Sequence, residues 1–145
     1  MTRQLSYHLI DHTADLGIVV VGSAPAQIFR NAALAVFDIM INVTKKNTDK
    51  GSKSTEFLSV EGEGWPDLMV NWLREILYMW NGEKHVVNDV QIIELNEHNI
   101  QADVTIEEYN PNTHEINTEI KAVTYHHIDV HSKNGEWEAT IIFDV

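Results

Sequence analysis

The stretch "DHTAD", residues 11–15, sets two aspartates and a histidine between two apolar runs. The chain closes on "IIFDV", where the side-chain carboxylate of Asp144 stands beside the terminal carboxylate on Val145. Two acids at one end of a strand are costly unless a cation or a donor neutralises them. If the first hairpin lies beside the last, "DHTAD" can add further oxygens. Carboxylates, a terminal carboxylate and backbone carbonyls make a hard oxygen site, which prefers Ca²⁺, Mg²⁺ or Mn²⁺ to Zn²⁺. The competing reading is local: Asp11 and Asp15 each cap a turn through their own side chains.

Whether these groups meet depends on the elements that carry them. Asn134-Gly135 is a strong signal for a two-residue type I′ hairpin, because that turn needs positive φ at both positions. Counting outward from it, Glu138 faces His131, Thr140 faces Asp129, Ile142 faces His127 and Asp144 faces Tyr125. Strand side chains alternate between faces. Ala122, Thr124, His126, Ile128 and Val130 then share a core face with Trp137, Ala139, Ile141, Phe143 and Val145. The opposite face gathers Lys121, Val123, Tyr125, His127, Asp129 and His131 with Glu138, Thr140, Ile142 and Asp144, which places Lys121 on the face of Asp144.

Upstream, "QLSYHLI" and "LGIVVVG" read as strands joined by the acidic loop. "SAPAQIFRNAALAVFDIM" switches to helical period, with Ser23 as cap, Pro25 in the first turn and a stripe of Ile28, Ala32, Ala35, Val36 and Ile39. "NVTKKNTDKGSKS" reads as a loop, and "STEFLSVEG" as a short strand. A second helix opens at "GWPDL", carries Met69, Leu73, Ile76, Leu77 and Trp80 at helical spacing, and stops at Asn81-Gly82. "VVNDVQIIEL" and "IQADVTIEEY" are strands about the turn "NEHN", and the turn "NPNTH" precedes the closing strands. The pattern is α+β: mostly antiparallel sheet with two packed helices, in one domain over residues 1–145.

With 22 acidic against 10 basic side chains, the net charge of −12 disfavours direct binding of a phosphate backbone and suits bound cations or a basic partner. No cysteine is present, which removes disulfides, thiolate nucleophiles and thiolate metal sites. The opening "MTRQLSYHLI" lacks the apolar core of a secretory leader, and no apolar run approaches a membrane span, so a cytoplasmic protein without membrane association is expected. A zinc site from His126, His127 and His131 is not expected, since His127 and His131 would lie roughly 13 Å apart along a strand. Trp65, Trp72, Trp80 and Trp137 read as core rather than as stacking platforms for bases.

Taken together and in order, "DHTADLGI", "NAALAVFDIM", "WLREILYMW", "HEINTEIKAVTYH" and the terminal "DV" resemble the archease family over nearly the whole chain. The resemblance implies an α+β protein that is not itself an enzyme but assists an RtcB-type RNA ligase in tRNA splicing and RNA repair. It implies promotion of guanylyl transfer onto the ligase's active-site histidine, giving multiple turnover, with RNA and nucleotide met only through the ligase. Carried onto this sequence, Asp15, Asp144 and the terminal carboxylate of Val145 are ligands of one divalent cation, calcium in the first place, with magnesium or manganese as alternatives. Lys121 is a residue tied to activity, and Asp11 and His12 fall within the motif as further ligands or their neighbours. His127 stands where many relatives carry a small residue.

Two other readings compete. One is an autonomous metal-dependent phosphoester hydrolase using His12 as acid or base, although no phosphate-binding glycine loop or "GxSxG" elbow occurs. The other is a chaperone-like modifier of several RNA-processing enzymes.

Overall fold

Residues 7–12, 15–45 and 53–145 are described by the structure, a computed structural model. The apolar alternation at the start of the chain builds strands β1 (Tyr7–His12) and β2 (Asp15–Gly22), paired antiparallel. Helix α1 (Pro25–Met40) follows, then β3 (Ile41–Val43), β4 (Lys53–Glu61) and helix α2 (Trp65–Asn81). The second half is all strand: β5 (His85–Asn96), β6 (Asn99–Glu108), β7 (His114–Ile116), β8 (Ala122–Val123), β9 (Asp129–Lys133) and β10 (Glu136–Asp144).

These strands form three sheets among the described residues. The largest runs β1-β2-β10, with β8 and β9 both pairing the far side of β10; a second is β4-β6-β5, and a small third is β3-β7. All pairings are antiparallel. The helices lie between the two larger sheets. Helix α1 touches β2 and β10 on one side and β5 on the other, while α2 touches β8 and β9 as well as β4, β5 and β6. A helix covered on two sides must be apolar on more than one stripe. Accordingly α1 buries Phe29, Ala33, Leu34 and Phe37 in addition to Ile28, Ala32, Ala35 and Val36. The expected α+β architecture with two packed helices is the observed one, and the middle position of the helices is what periodicity alone did not specify.

Helix starts depart in detail from expectation. The residue before α1 is Ala24, and Pro25 occupies the first turn as expected. Ser23 lies one position too early to cap; instead Gln27 Oε1 accepts from the Ser23 backbone N–H at 2.7 Å. At α2, Asp67 Oδ2 reaches back in the same way to the Glu63 N–H at 2.8 Å. Helix α2 ends where expected, but the left-handed residue after it is Lys84 (φ 55°), two positions beyond Gly82.

Trp72 and Trp80 are fully buried, and Trp72 Nε1 donates to the Phe29 carbonyl at 2.9 Å, tying the helices together. Trp65 and Trp137 are partly buried and pack edge to face. All four tryptophans serve the interior. Among the described residues, no helix is long and apolar enough to cross a membrane.

The closing hairpin follows the count from its turn, then leaves it. Asn134 (φ 55°) and Gly135 (φ 81°) both take positive φ, and Glu138 pairs with His131 and Thr140 with Asp129 as counted. Beyond Asp129 the chain departs from the sheet through residues 124–128, with His127 at φ 53°, and returns as β8. On return Asp144 pairs with Ala122 and Phe143 with Val123, so the expected pairing of Asp144 with Tyr125 is wrong by three residues. An odd shift reverses faces. Val123 is consequently buried opposite Phe143, His126 is exposed rather than inward, and Ala122 rather than Tyr125 stands across from Asp144. The segment "NVTKKNTDKGSKS", read as one loop, opens with residues of β3 and closes with those of β4; residues 46–52 lie outside the described residues.

Candidate functional site

Most of the acidic stretch belongs to the two strands it joins. β1 runs to His12 and β2 begins at Asp15, with Thr13 and Ala14 between them outside the described residues. β10 lies directly against β2, and its register sets Asp144 opposite Asp15. Directly paired residues on antiparallel strands have Cα atoms about 4.5–5.5 Å apart and side chains on one face. Carried across the sheet, one row reads His12, Asp15, Asp144, Ala122. The next row inward reads Asp11, Leu16, Phe143, Val123.

The following row on the acidic face is Ile10, Gly17, Ile142. Gly17 is required there: an added Cβ would stand 2.5 Å from Ile10 Cγ1 and 3.0 Å from Ile142 Cδ1. Two branched side chains close over the glycine, and one of them, Ile142, is buried. Asp15 and Asp144 thus stand on an apolar floor at the open end of the sheet. Val145 follows immediately and is exposed.

Lys121 arrives by a different route from the one expected. Its backbone N–H donates to the Asp144 carbonyl at 2.7 Å, and Asn81 Nδ2 at the end of α2 donates to its carbonyl at 3.4 Å. The residue therefore borders the acidic pair through its main chain, held between β10 and α2. Its side chain is on the exposed rim of a groove shared with Arg74, Tyr78 and Asn81.

One element of this neighbourhood was missed. The segment 124–128 is fastened to α2 by the Tyr125 hydroxyl, which donates to Asp67 Oδ1 at 2.6 Å, and Arg74 lies over the Tyr125 ring at 5.1 Å. The hydrogen bond lowers the Asp67 carboxyl below its ordinary range, helped by the Glu63 N–H, and raises the Tyr125 hydroxyl above its own. Thr124 Oγ1 also donates to the Ile142 carbonyl at 2.8 Å. His127 takes a left-handed φ of 53° there, a conformation few non-glycine residues adopt. The histidines do not converge: His126 and His127 are exposed, and His131 Nδ1 pairs with Asp129 Oδ2 at 2.6 Å.

Residues 7–145 match the sequence profile of the Archease protein family (MTH1598/TM1083). This chain belongs to the archease family. The protein archease of Methanosarcina mazei is 33% identical over 143 residues, covering 96% of this chain and 95% of the relative. That of Thermococcus kodakarensis is 35% identical over 139 residues, covering 93% and 95%. Among solved structures, the solution structure of Methanobacterium thermoautotrophicum protein 1598 superposes with a TM-score of 0.73 at 26% identity, covering 97% of this chain and 99% of that one. The crystal structure of an archease, described as a possible chaperone, from Thermotoga maritima shares the fold, with a TM-score of 0.65 at 17% identity and coverage of 100% and 98%.

Proposed function

We propose that this archease activates an RtcB-type RNA ligase in tRNA splicing and RNA repair, as an accessory protein that does no ligation itself. The observation that carries the proposal is the register pairing of Asp15 with Asp144 at the open end of the sheet. Like charges directly opposite on paired strands destabilise a sheet. Their juxtaposition on an apolar floor suits a hard divalent cation, calcium first and magnesium or manganese as alternatives. Asp15, Asp144 and the terminal carboxylate of Val145 would hold it, with His12 in the same row and Asp11 in the next. When bound, the ion supplies positive charge at the tip of the molecule, where a partner's nucleotide phosphates can be oriented.

The chain's own residues present and fix that tip. Gly17, Ile10 and Ile142 hold the two carboxylates at strand spacing. The hydrogen bond from Lys121 to the Asp144 carbonyl fixes the direction of β10 at its last paired residue. The Lys121 side chain is then available beside the tip to meet an anionic group of the partner. The ligase supplies the histidine that is guanylylated, and RNA is met only through it. The −12 net charge fits a protein that docks on an enzyme rather than on RNA.

The test is ligase turnover under limiting enzyme, with and without this protein, across Ca²⁺, Mg²⁺ and Mn²⁺. Asp15→Ala, or removal of Val145, is expected to abolish stimulation while leaving the circular dichroism spectrum unchanged. Full stimulation by either variant would refute the proposal.

A further inference from the structure

A second group of metal-ligating side chains lies beyond the C-terminal end of α2, drawn from three separate segments. Glu56 of β4, Glu83 of the turn after α2 and His85 at the start of β5 each bring one donor atom to within 4.8 Å of the others. His85 Nδ1 lies 3.0 Å from Glu83 Oε2. Yet this nitrogen is shielded from water and makes no hydrogen bond. The His85 side chain is 22% exposed, and its Nδ1 faces a carboxylate oxygen at ion-pair distance, an arrangement that a cation held between the two would also satisfy.

The last turn of α2 holds no basic residue, although a helix C-terminus carries partial negative charge. Lys84, between the two turn ligands in sequence, is turned away, its Nζ 4.4 Å from the centre of the Trp80 ring. Donors around a tetrahedral Zn²⁺ with bonds of about 2.0–2.1 Å stand roughly 3.3 Å apart. The His85–Glu83 separation is close to that, and the Glu56 donor lies within 4.8 Å of both.

We propose that Glu56, Glu83 and His85 form a second divalent-cation site, selective for a nitrogen-tolerant first-row ion such as Zn²⁺. The chemistry differs from that of the Asp15–Asp144 edge. One imidazole and two carboxylates suit Zn²⁺ and its neighbours, whereas an all-oxygen set suits calcium. The fourth position of a three-ligand site stays open to water or to a group from a partner. The inference does not depend on the ligase reading, because no residue is shared with that edge.

Calorimetric titration of chelator-treated protein with Zn²⁺ alone tests it, using wild type, Asp144→Asn, His85→Gln and Glu56→Gln. The expected result is one equivalent of Zn²⁺ bound by Asp144→Asn, and an affinity at least about tenfold weaker in His85→Gln and Glu56→Gln; even outer partners of ligands are worth that much. In the wild-type protein, the Nδ1 resonance of His85 should shift in nitrogen-15 spectra on addition of Zn²⁺, a readout independent of whether any variant folds. An unmoved His85 resonance, or unchanged Zn²⁺ affinity in folded His85→Gln, overturns the proposal.

Discussion

Asp15 and Asp144, separated by almost the whole chain, are direct register partners on adjacent antiparallel strands. β1 and β2 form a local hairpin, but β10 is added from the far end of the sequence, so the pair exists only once the sheet has closed. The site is therefore a product of the complete fold rather than of either motif alone. Its two halves have no local means of finding each other.

Removing one of the two carboxylates should have opposite effects with and without a cation. In chelator, Asp15→Asn relieves a like-charge cross-strand pair and is expected to gain about 0.2–1 kcal/mol. In calcium at one hundred times its dissociation constant, the wild type should gain about 2.7 kcal/mol, several degrees in Tm. The variant should gain little. Thermal melts of both proteins with calcium and with chelator would show a crossing of the order of stability. A wild-type Tm indifferent to calcium, magnesium and manganese alike would contradict the cation reading.

The apolar floor makes a separate demand. Gly17→Ala places a methyl 2.5 Å from Ile10 Cγ1 and 3.0 Å from Ile142 Cδ1. Forcing extra volume into a packed site costs about 1–3 kcal/mol. Urea denaturation should show that loss with an unchanged m-value, and calcium affinity should fall although no ligand has been altered. Pairing the change with Ile10→Val should recover part of the stability. A Gly17→Ala protein as stable as wild type would show that the two isoleucines yield freely.

What could be read beforehand follows physical lines. The helices, the Asn134-Gly135 turn and the pairing near it are local, and period and turn chemistry report local structure. The burial of α1 on both sides is not local: Phe29, Leu34 and Phe37 lie off the single stripe and are covered only because two sheets enclose the helix. The same holds for Lys121. A hairpin count assumes continuous pairing, and nothing in "VTYHHID" announces that His127 takes a left-handed φ and that five residues leave the sheet. The count put Lys121 on the face of Asp144; the structure brings it beside Asp144 through its main chain instead. The cluster of Glu56, Glu83 and His85 was invisible because β4 and β5 are separated in the sheet by β6, so its three donors come from segments with no local link.

The fastening of residues 124–128 should respond to pH at both extremes. Asp67 is held below its ordinary range in the folded state, so its contribution is present above the unfolded carboxyl value and fades as pH falls through the lowered one. Tyr125 is held above its ordinary range, so its contribution is present below about 10 and fades as pH rises through the higher value. Between those limits the segment should stay docked on α2. Tyr125→Phe should release it at every pH, seen as faster amide exchange at residues 124–128 with little change at β9. Equal exchange in variant and wild type would mean that the Thr124 hydroxyl and the backbone suffice to hold the segment.

A buried pair at the opposite side of the core gives a stability test free of any ligand. His114 and Glu107 are almost completely buried, with His114 Nε2 3.0 Å from Glu107 Oε1. The Asn110 N–H donates to His114 Nδ1 at 2.9 Å, which makes that nitrogen the acceptor and puts the ring proton on Nε2, facing the carboxylate. The ring also stacks on Tyr109. Glu107→Ala leaves a buried N–H without its acceptor and should cost about 1–3 kcal/mol, with the lost packing of the side chain added. Glu107→Gln keeps an acceptor oxygen at the same reach and should cost less than half as much. His114→Leu removes the ring N–H and takes one donor from the buried carboxylate, so it should be worse than Glu107→Gln. Chemical denaturation of the three variants decides the order. If Glu107→Gln were as damaging as Glu107→Ala, the charge rather than the hydrogen bond would be what holds β6 to β7.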